Sequence, residues 1–199
     1  MVLEELEAVP GSALPVTALA DHLRLGTAFA GDLPLAGLLE SHLRAAIAAI
    51  EARTGKALLR RAFRLRLGRW RGAGVHPLPV APVVALGEVA LLSEAGARIV
   101  LGPNLFALVP DMHRPKLGAV SGTLPPIAER GLAEIGFQAG FAESWDGVPP
   151  DLAQAVLLLA AEFHENRHDP GDGRAGMPAS VLALIGRWRT VRVLGGGGA

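Results

Sequence analysis

The sequence predicts an α+β protein. Its core is mainly helical, with four helices, and a small irregular β region is inserted between the second and third long helices. Three observations carry that expectation. Apolar residues recur at helical spacing near both ends of the chain, in about residues 14–58 and 148–190. Between them, from about Leu58 to Ala142, the period shortens to two. Prolines and glycines also punctuate that middle stretch repeatedly. At 199 residues the chain is long enough to bury one full core. The expected organisation is a single domain: helical core at about 14–58 and 148–190, β insertion at about 59–146, and a flexible C-terminal tail at 190–199.

The elements follow in order. Thr17 to Leu25 reads as a short helix, with Leu19 and Leu23 in register and Gly26 as its stop. Asp32 suits the N-cap of a longer helix running to Arg53. Leu35, Leu39, Leu43, Ile47 and Ile50 form its apolar stripe, Glu40 and Arg44 a supporting pair, and Gly55 its C-cap. Pro34 falls in the first turn, where a proline costs little. Phe63, Leu65 and Leu67 then alternate with Arg64, Arg66 and Arg69, the pattern of a half-buried strand with a basic outer face. Apolar runs at Val83–Leu92, Ile99–Leu101, Leu105–Val109 and Leu132–Phe137 are the further strand candidates. Asp111 to Arg130 has little periodicity and reads as a loop, either mobile or shaped by a partner. Helix returns at Asp151–His168 and again at Pro178–Arg189, with Asp169-Pro170-Gly171-Asp172-Gly173 as the turn between. The four glycines Gly195–Gly198 close a tail that cannot fold alone.

Composition narrows the function. Formal net charge is zero, which argues against bulk attraction to nucleic acid or an anionic membrane. There is no cysteine, hence neither a disulfide framework nor thiolate chemistry. Met1 to Pro10 carries Glu4, Glu5 and Glu7 without a basic residue, unlike a signal peptide. The longest unbroken apolar run, Ala155 to Ala161, is far short of a membrane span.

One motif points to catalysis. His164-Glu165-Asn166-Arg167-His168 spells the zinc-protease pattern, in which two imidazoles one helical turn apart grip a metal and the Glu acts as general base. Gly171 extends the match, but the longer pattern wants a third His where this chain has Arg174. No Asp, Glu or His follows Asp172. The simpler account is that cationic Arg167 and His168 complement the negative end of a helix. A zinc metalloprotease-like enzyme using His164, Glu165 and His168 therefore stands as the alternative reading; no metal, cofactor or catalytic residue is expected. His22 and His42 read as surface or satisfied residues. No Ser-His-Asp elbow appears, and the glycine tail lacks the Lys-Ser/Thr and following helix of a phosphate loop.

The strongest charge bias lies between Arg53 and Gly87, with seven Arg, one Lys and no acidic residue. Arg60, Arg61, Arg64, Arg66, Arg69 and Arg71 mark a basic face, facing either a neighbouring subunit or DNA phosphate. Neutral overall charge and thin aromatic interleaving favour the solvated or subunit-facing reading over a DNA-binding module.

The order of short motifs is informative as a whole. Asp21-His22-Leu23-Arg24 precedes a helix ending Ile50-Glu51-Ala52-Arg53-Thr54-Gly55-Lys56-Ala57-Leu58. Leu78-Pro79-Val80-Ala81-Pro82-Val83 follows, then the strand Ile135-Gly136-Phe137-Gln138-Ala139-Gly140-Phe141. Val148-Pro149-Pro150-Asp151-Leu152 opens a helix ending Glu165-Asn166-Arg167, and a Pro178-led helix closes at Trp188-Arg189. Over residues 14 to 190 this resembles the head–tail connector (adaptor) proteins of long-tailed phages, especially those of alphaproteobacterial gene transfer agents. The resemblance implies a structural protein of a phage-like particle, assembled in the bacterial cytoplasm and sited in the neck. It implies a homo-oligomeric ring of twelve subunits beneath the portal, with double-stranded DNA passing through the lumen without sequence specificity. The expected partners are the portal, the next head-closure or tail component, and further copies of the chain; no membrane is implied. The C-terminal segment Thr190, Val191, Arg192, Val193 and Leu194 would dock on the portal.

Overall fold

The computed structural model describes residues 1–26, 32–166 and 176–189. Among these, four α-helices, α1 (Val16–His22), α2 (Leu33–Thr54), α3 (Pro150–Glu165) and α4 (Ala179–Ile185), form one layer. Eight strands form the other: β1 (Val2–Glu5), β2 (Arg61–Leu67), β3 (Val75–Pro77), β4 (Val83–Leu92), β5 (Arg98–Val100), β6 (Phe106–Val109), β7 (Lys116–Ala119) and β8 (Leu132–Ala139). They make a five-stranded antiparallel sheet in the order β1-β2-β8-β4-β5 and a three-stranded one in the order β3-β7-β6.

This overturns the expectation of a mainly helical core with a small β insert. The two sheets enclose a hydrophobic core of their own, built from Phe63, Leu65, Leu67, Val89, Leu117, Ile135 and Phe137 among others, beside the helical one. The missed strands explain the error. β1 lies ahead of the first expected helix, where no strand is expected; it is exposed along its whole length and extends by pairing with β2. β3 carries a proline and β7 a glycine, both depleted in strands. β7 also lies inside Asp111–Arg130, which is therefore not one continuous loop; Leu117 and Leu124 within it are buried. The central pairing, β2 with β8, joins residues about seventy positions apart, for example Leu65 with Ile135, which no local window detects.

The helices fall close to their sequence signals. Asp32 Oδ1 accepts from Leu35 N at 3.0 Å, and Gly55 ends α2 at φ +69°, a conformation that favours glycine. α2 is long and apolar enough by length and composition to cross a membrane, yet here it packs Leu39, Leu43, Ile47 and Ile50 into the helical core against α1 and α3. α3 buries Leu152, Ala155, Val156, Leu159, Ala160 and Ala161 against the other three helices. Each fully buried leucine here contributes about 2 kcal/mol. The turn expected at 169–173 and the helix end at Arg167 and His168 lie outside the described residues.

The chain crosses between layers twice at one place. After α2, Ala57 N donates to Ala81 O and Arg60 N to Ala142 O, at 2.9 and 2.7 Å. After β8, Gly140 N donates to Pro82 O and Phe141 N to Leu58 O. Gly140 sits at φ +138°, and a Cβ there would lie 2.4 Å from Arg60 Cα, so only glycine fits. Glu51, in the last turn of α2, clamps the crossing: its carboxylate accepts from Leu58 N at 2.7 Å and from Arg61 Nη2 at 2.6 Å.

Candidate functional site

The basic stretch that follows this crossing divides into two parts. Arg60, Arg61, Arg64 and Arg66 are all matched by carboxylates of the same chain. Arg60 pairs with Glu143 at 2.9 Å. Arg61, nearly buried, lies between Glu51 and Glu5 at 2.6 and 2.8 Å, with its guanidinium 5.0 Å from the centre of the Phe63 ring. Burial disfavours its charge, but the bonds and charges of Glu51 and Glu5 outweigh that and hold its pKa above the ordinary value.

Arg64 and Arg66 point from the far face of β2 towards Glu134 on the adjacent β8. Glu134 is 9% exposed at its side chain and receives Arg66 Nε at 2.9 Å, Arg98 Nη2 at 3.1 Å and Arg64 Nε at 3.7 Å. Arg64 also reaches Glu4 of β1 at 3.5 Å, and Arg98 of β5 bonds Glu88 of β4. An unbroken chain of alternating charges thus runs across all five strands, from Glu4 to Glu88. Burial alone would raise the Glu134 pKa; hydrogen bonds from Arg66 and Arg98 and the charge of Arg64 prevail and lower it. The sequence had a signal for this: a lone acid inside an apolar strand, opposite alternating arginines.

Arg69 and Arg71 are different. They lie on the exposed loop between β2 and β3, and neither has a carboxylate partner among the described residues. Trp70 between them is fixed, its Nε1–H donating to Pro125 O at 2.7 Å and its ring meeting His76 edge-on at 5.6 Å. His76 was not singled out from the sequence. It is 1% exposed, its Nδ1 accepts from Arg71 N at 3.2 Å, and its Nε2 is buried without a hydrogen-bond partner. Burial, and then the nearby charge of Arg71, lower its pKa, so the ring is neutral at physiological pH. Arg69 and Arg71 line two clefts, of about 570 and 510 Å³; His76 lines the second.

The metalloprotease pattern is only partly within view. His164 lies in the last turn of α3 and meets His42 of α2 edge-on, ring centres 5.6 Å apart; His168 lies outside the described residues. No group of three potential metal ligands converges among the described residues. The expected docking segment Thr190–Leu194 also lies outside them; Arg189 is the last described residue before it. The chain just before that segment is anchored. Asp151 Oδ2, at the N-terminus of α3, accepts from both Trp188 Nε1 and Arg187 Nε at 2.7 Å. Trp188 also packs edge-on against Phe141, ring centres 5.1 Å apart.

The described residues thus present a sheet surface organised by paired charges and no convergent metal-ligand cluster. Solved structures give the class. A chain of the neck of the empty gene transfer agent (GTA) particle, computed with C6 symmetry, has a TM-score of 0.87 and 52% identity, covering 98% of this chain and 99% of that one. A chain of the virion of the native GTA particle has 0.85 and 53%, with the same coverage. A third, from the neck of the native particle computed with C12 symmetry, has 0.83 and 50%, again over 98% and 99%. No protein-family model and no curated protein matches. The class is a structural component of a phage-like particle. Identity at this level over nearly the full length settles the family: the chain belongs to the gene transfer agent neck proteins.

Proposed function

We propose that the chain is the head–tail adaptor of a gene transfer agent particle. Twelve copies form a ring beneath the portal, join it to the next head-closure or tail component, and let double-stranded DNA pass without reading its sequence. The observation that carries this reading is the likeness, at 50% identity, to a chain of a neck computed with C12 symmetry. A ring of identical subunits uses a heterologous contact that closes by rotation. The whole chain acts as one connector unit, and its work is mechanical rather than enzymatic. The segment Thr190–Leu194 docks onto the portal as an added strand, starting from the Trp188 anchor.

The test is co-purification with the cognate portal, comparing the full chain with a version ending at Arg189. The adaptor reading expects a ring on the portal with the full chain and none with the shortened one. Portal binding by both versions would remove the docking role from 190–194. Binding by neither would remove the adaptor role itself.

A further inference from the structure

The geometry points to an oxyanion-binding site formed by Arg69, Arg71 and His76 in the clefts beside Trp70, and its ligand is the phosphodiester backbone of double-stranded DNA. Three independent features converge there. First, the four arginines that precede the pair all meet carboxylates of their own chain, whereas Arg69 and Arg71 meet none among the described residues. Both side chains are exposed, so an external anion can reach them. Second, His76 Nδ1 is already an acceptor for Arg71 N–H, which leaves the ring proton on Nε2. That N–H is a buried donor with no hydrogen-bond partner among the described residues, on a residue that lines the second cleft, and burying a donor without an acceptor is unfavourable. Third, Trp70 is locked by Pro125 and His76, so the loop presents its two guanidinium groups from a fixed frame.

Two permanent cations and one neutral donor suit a phosphate group, which offers several acceptor oxygens and a full negative charge. Phosphate contacts position a polymer without reading its bases, and a local pair of cations can make them on a chain whose formal net charge is zero. Gly68 and Gly72 line the first cleft, keeping the approach free of side chains. Only the source of the phosphate rests on the adaptor reading, in which DNA runs past each copy. The chemistry of the site does not.

The experiment follows the Trp70 indole and His76 ring signals by NMR in the full chain, during titration with a short double-stranded oligonucleotide at low salt. Poly-glutamate serves as a carboxylate probe. The expected result is a saturable shift of both signals with DNA, lost in Arg69→Ala/Arg71→Ala. Affinity in the parent should fall with salt, and the double substitution should reduce the salt slope by about 2, one for each phosphate contact removed. Both side chains are exposed, so the fold should survive, and an unchanged melting curve checks that. Arg53→Ala/Arg130→Ala removes the same charge elsewhere on the exposed surface and should leave the DNA response intact. An identical DNA response in both double variants, or no shift of either signal in the parent, overturns the proposal. So does a response to poly-glutamate but not to DNA, which would assign the site to an acidic protein partner. None of these readouts needs the portal, so failure here is distinct from failure of the adaptor reading.

Discussion

Asp151→Ala tests the anchor at the end of the described chain. The carboxylate, 21% exposed at its side chain, accepts from the indole of Trp188, which is 8% exposed, and from Arg187, which is 67% exposed at its side chain. Removing it leaves a buried indole N–H without an acceptor, about 1–3 kcal/mol. The Arg187 pair is largely in water and adds at most a few tenths of a kcal/mol. Loss of a negative charge from the first turn of α3 adds about 0.5 kcal/mol. The total is about 2.5 kcal/mol, which for a chain near this length lowers the melting temperature by roughly 8 °C. Burial would raise the Asp151 pKa, but bonds from Arg187, Trp188 and Leu152 N outweigh it, and the folded value lies below the usual one. Its stabilisation is therefore complete above the unfolded carboxyl value of about 3.9, and is lost as pH falls through the folded value. Asp151→Asn keeps an acceptor for the indole, so it should lose less than half as much and flatten this acid dependence. Denaturant unfolding followed by tryptophan fluorescence measures both. A loss below about 0.5 kcal/mol for Asp151→Ala, the level of an ordinary surface change, would refute the reasoning.

Three further outcomes are expected. Gly140→Ala forces a Cβ into the Arg60 backbone and should cost about 3 kcal/mol or more, read as a collapse in soluble yield or in the denaturation midpoint. Glu134→Gln should lose about 2 kcal/mol at neutral pH, because Arg66 loses the one carboxylate it meets among the described residues. That difference should vanish at acid pH, where the parent carboxyl is protonated too; equal stability at pH 7 would show that the charges across the sheet are merely solvated. Metal analysis of the purified protein should find no stoichiometric zinc, and one zinc per chain that disappears in His164→Ala would reinstate the metalloenzyme reading.

What could be read from the sequence was whatever local periodicity encodes. Asp32, Gly55 and the α2 stripe announce that helix, and the Phe63-Leu65-Leu67 alternation announces β2. The extent of the β layer was hidden because its stability is non-local. β1 is a short strand of exposed residues that has no reason to extend except its partner, and β3 and β7 contain residues poor at forming strands alone. The arginines gave a charge bias but not its division. Whether an arginine is matched depends on acids seventy residues away, as Arg66 and Glu134 show. His76 gave no signal at all, since a single histidine before a proline looks the same whether buried or exposed.

The double crossing at Arg60 and Ala142 has an architectural consequence. A chain that leaves the helical layer and returns one hydrogen bond away has made a closed excursion, and such an excursion can grow or shrink without moving the helices that flank it. The first strand denies the excursion its independence. Val2–Glu5 lies ahead of α1 and α2, outside the excursion, yet completes the outer edge of the large sheet and sends Glu5 to Arg61 at the crossing itself. Replacing the β layer by that of a relative would therefore require carrying over the first few residues as well. A graft that exchanged the middle segment alone would leave an acidic ribbon facing a strand it no longer matches.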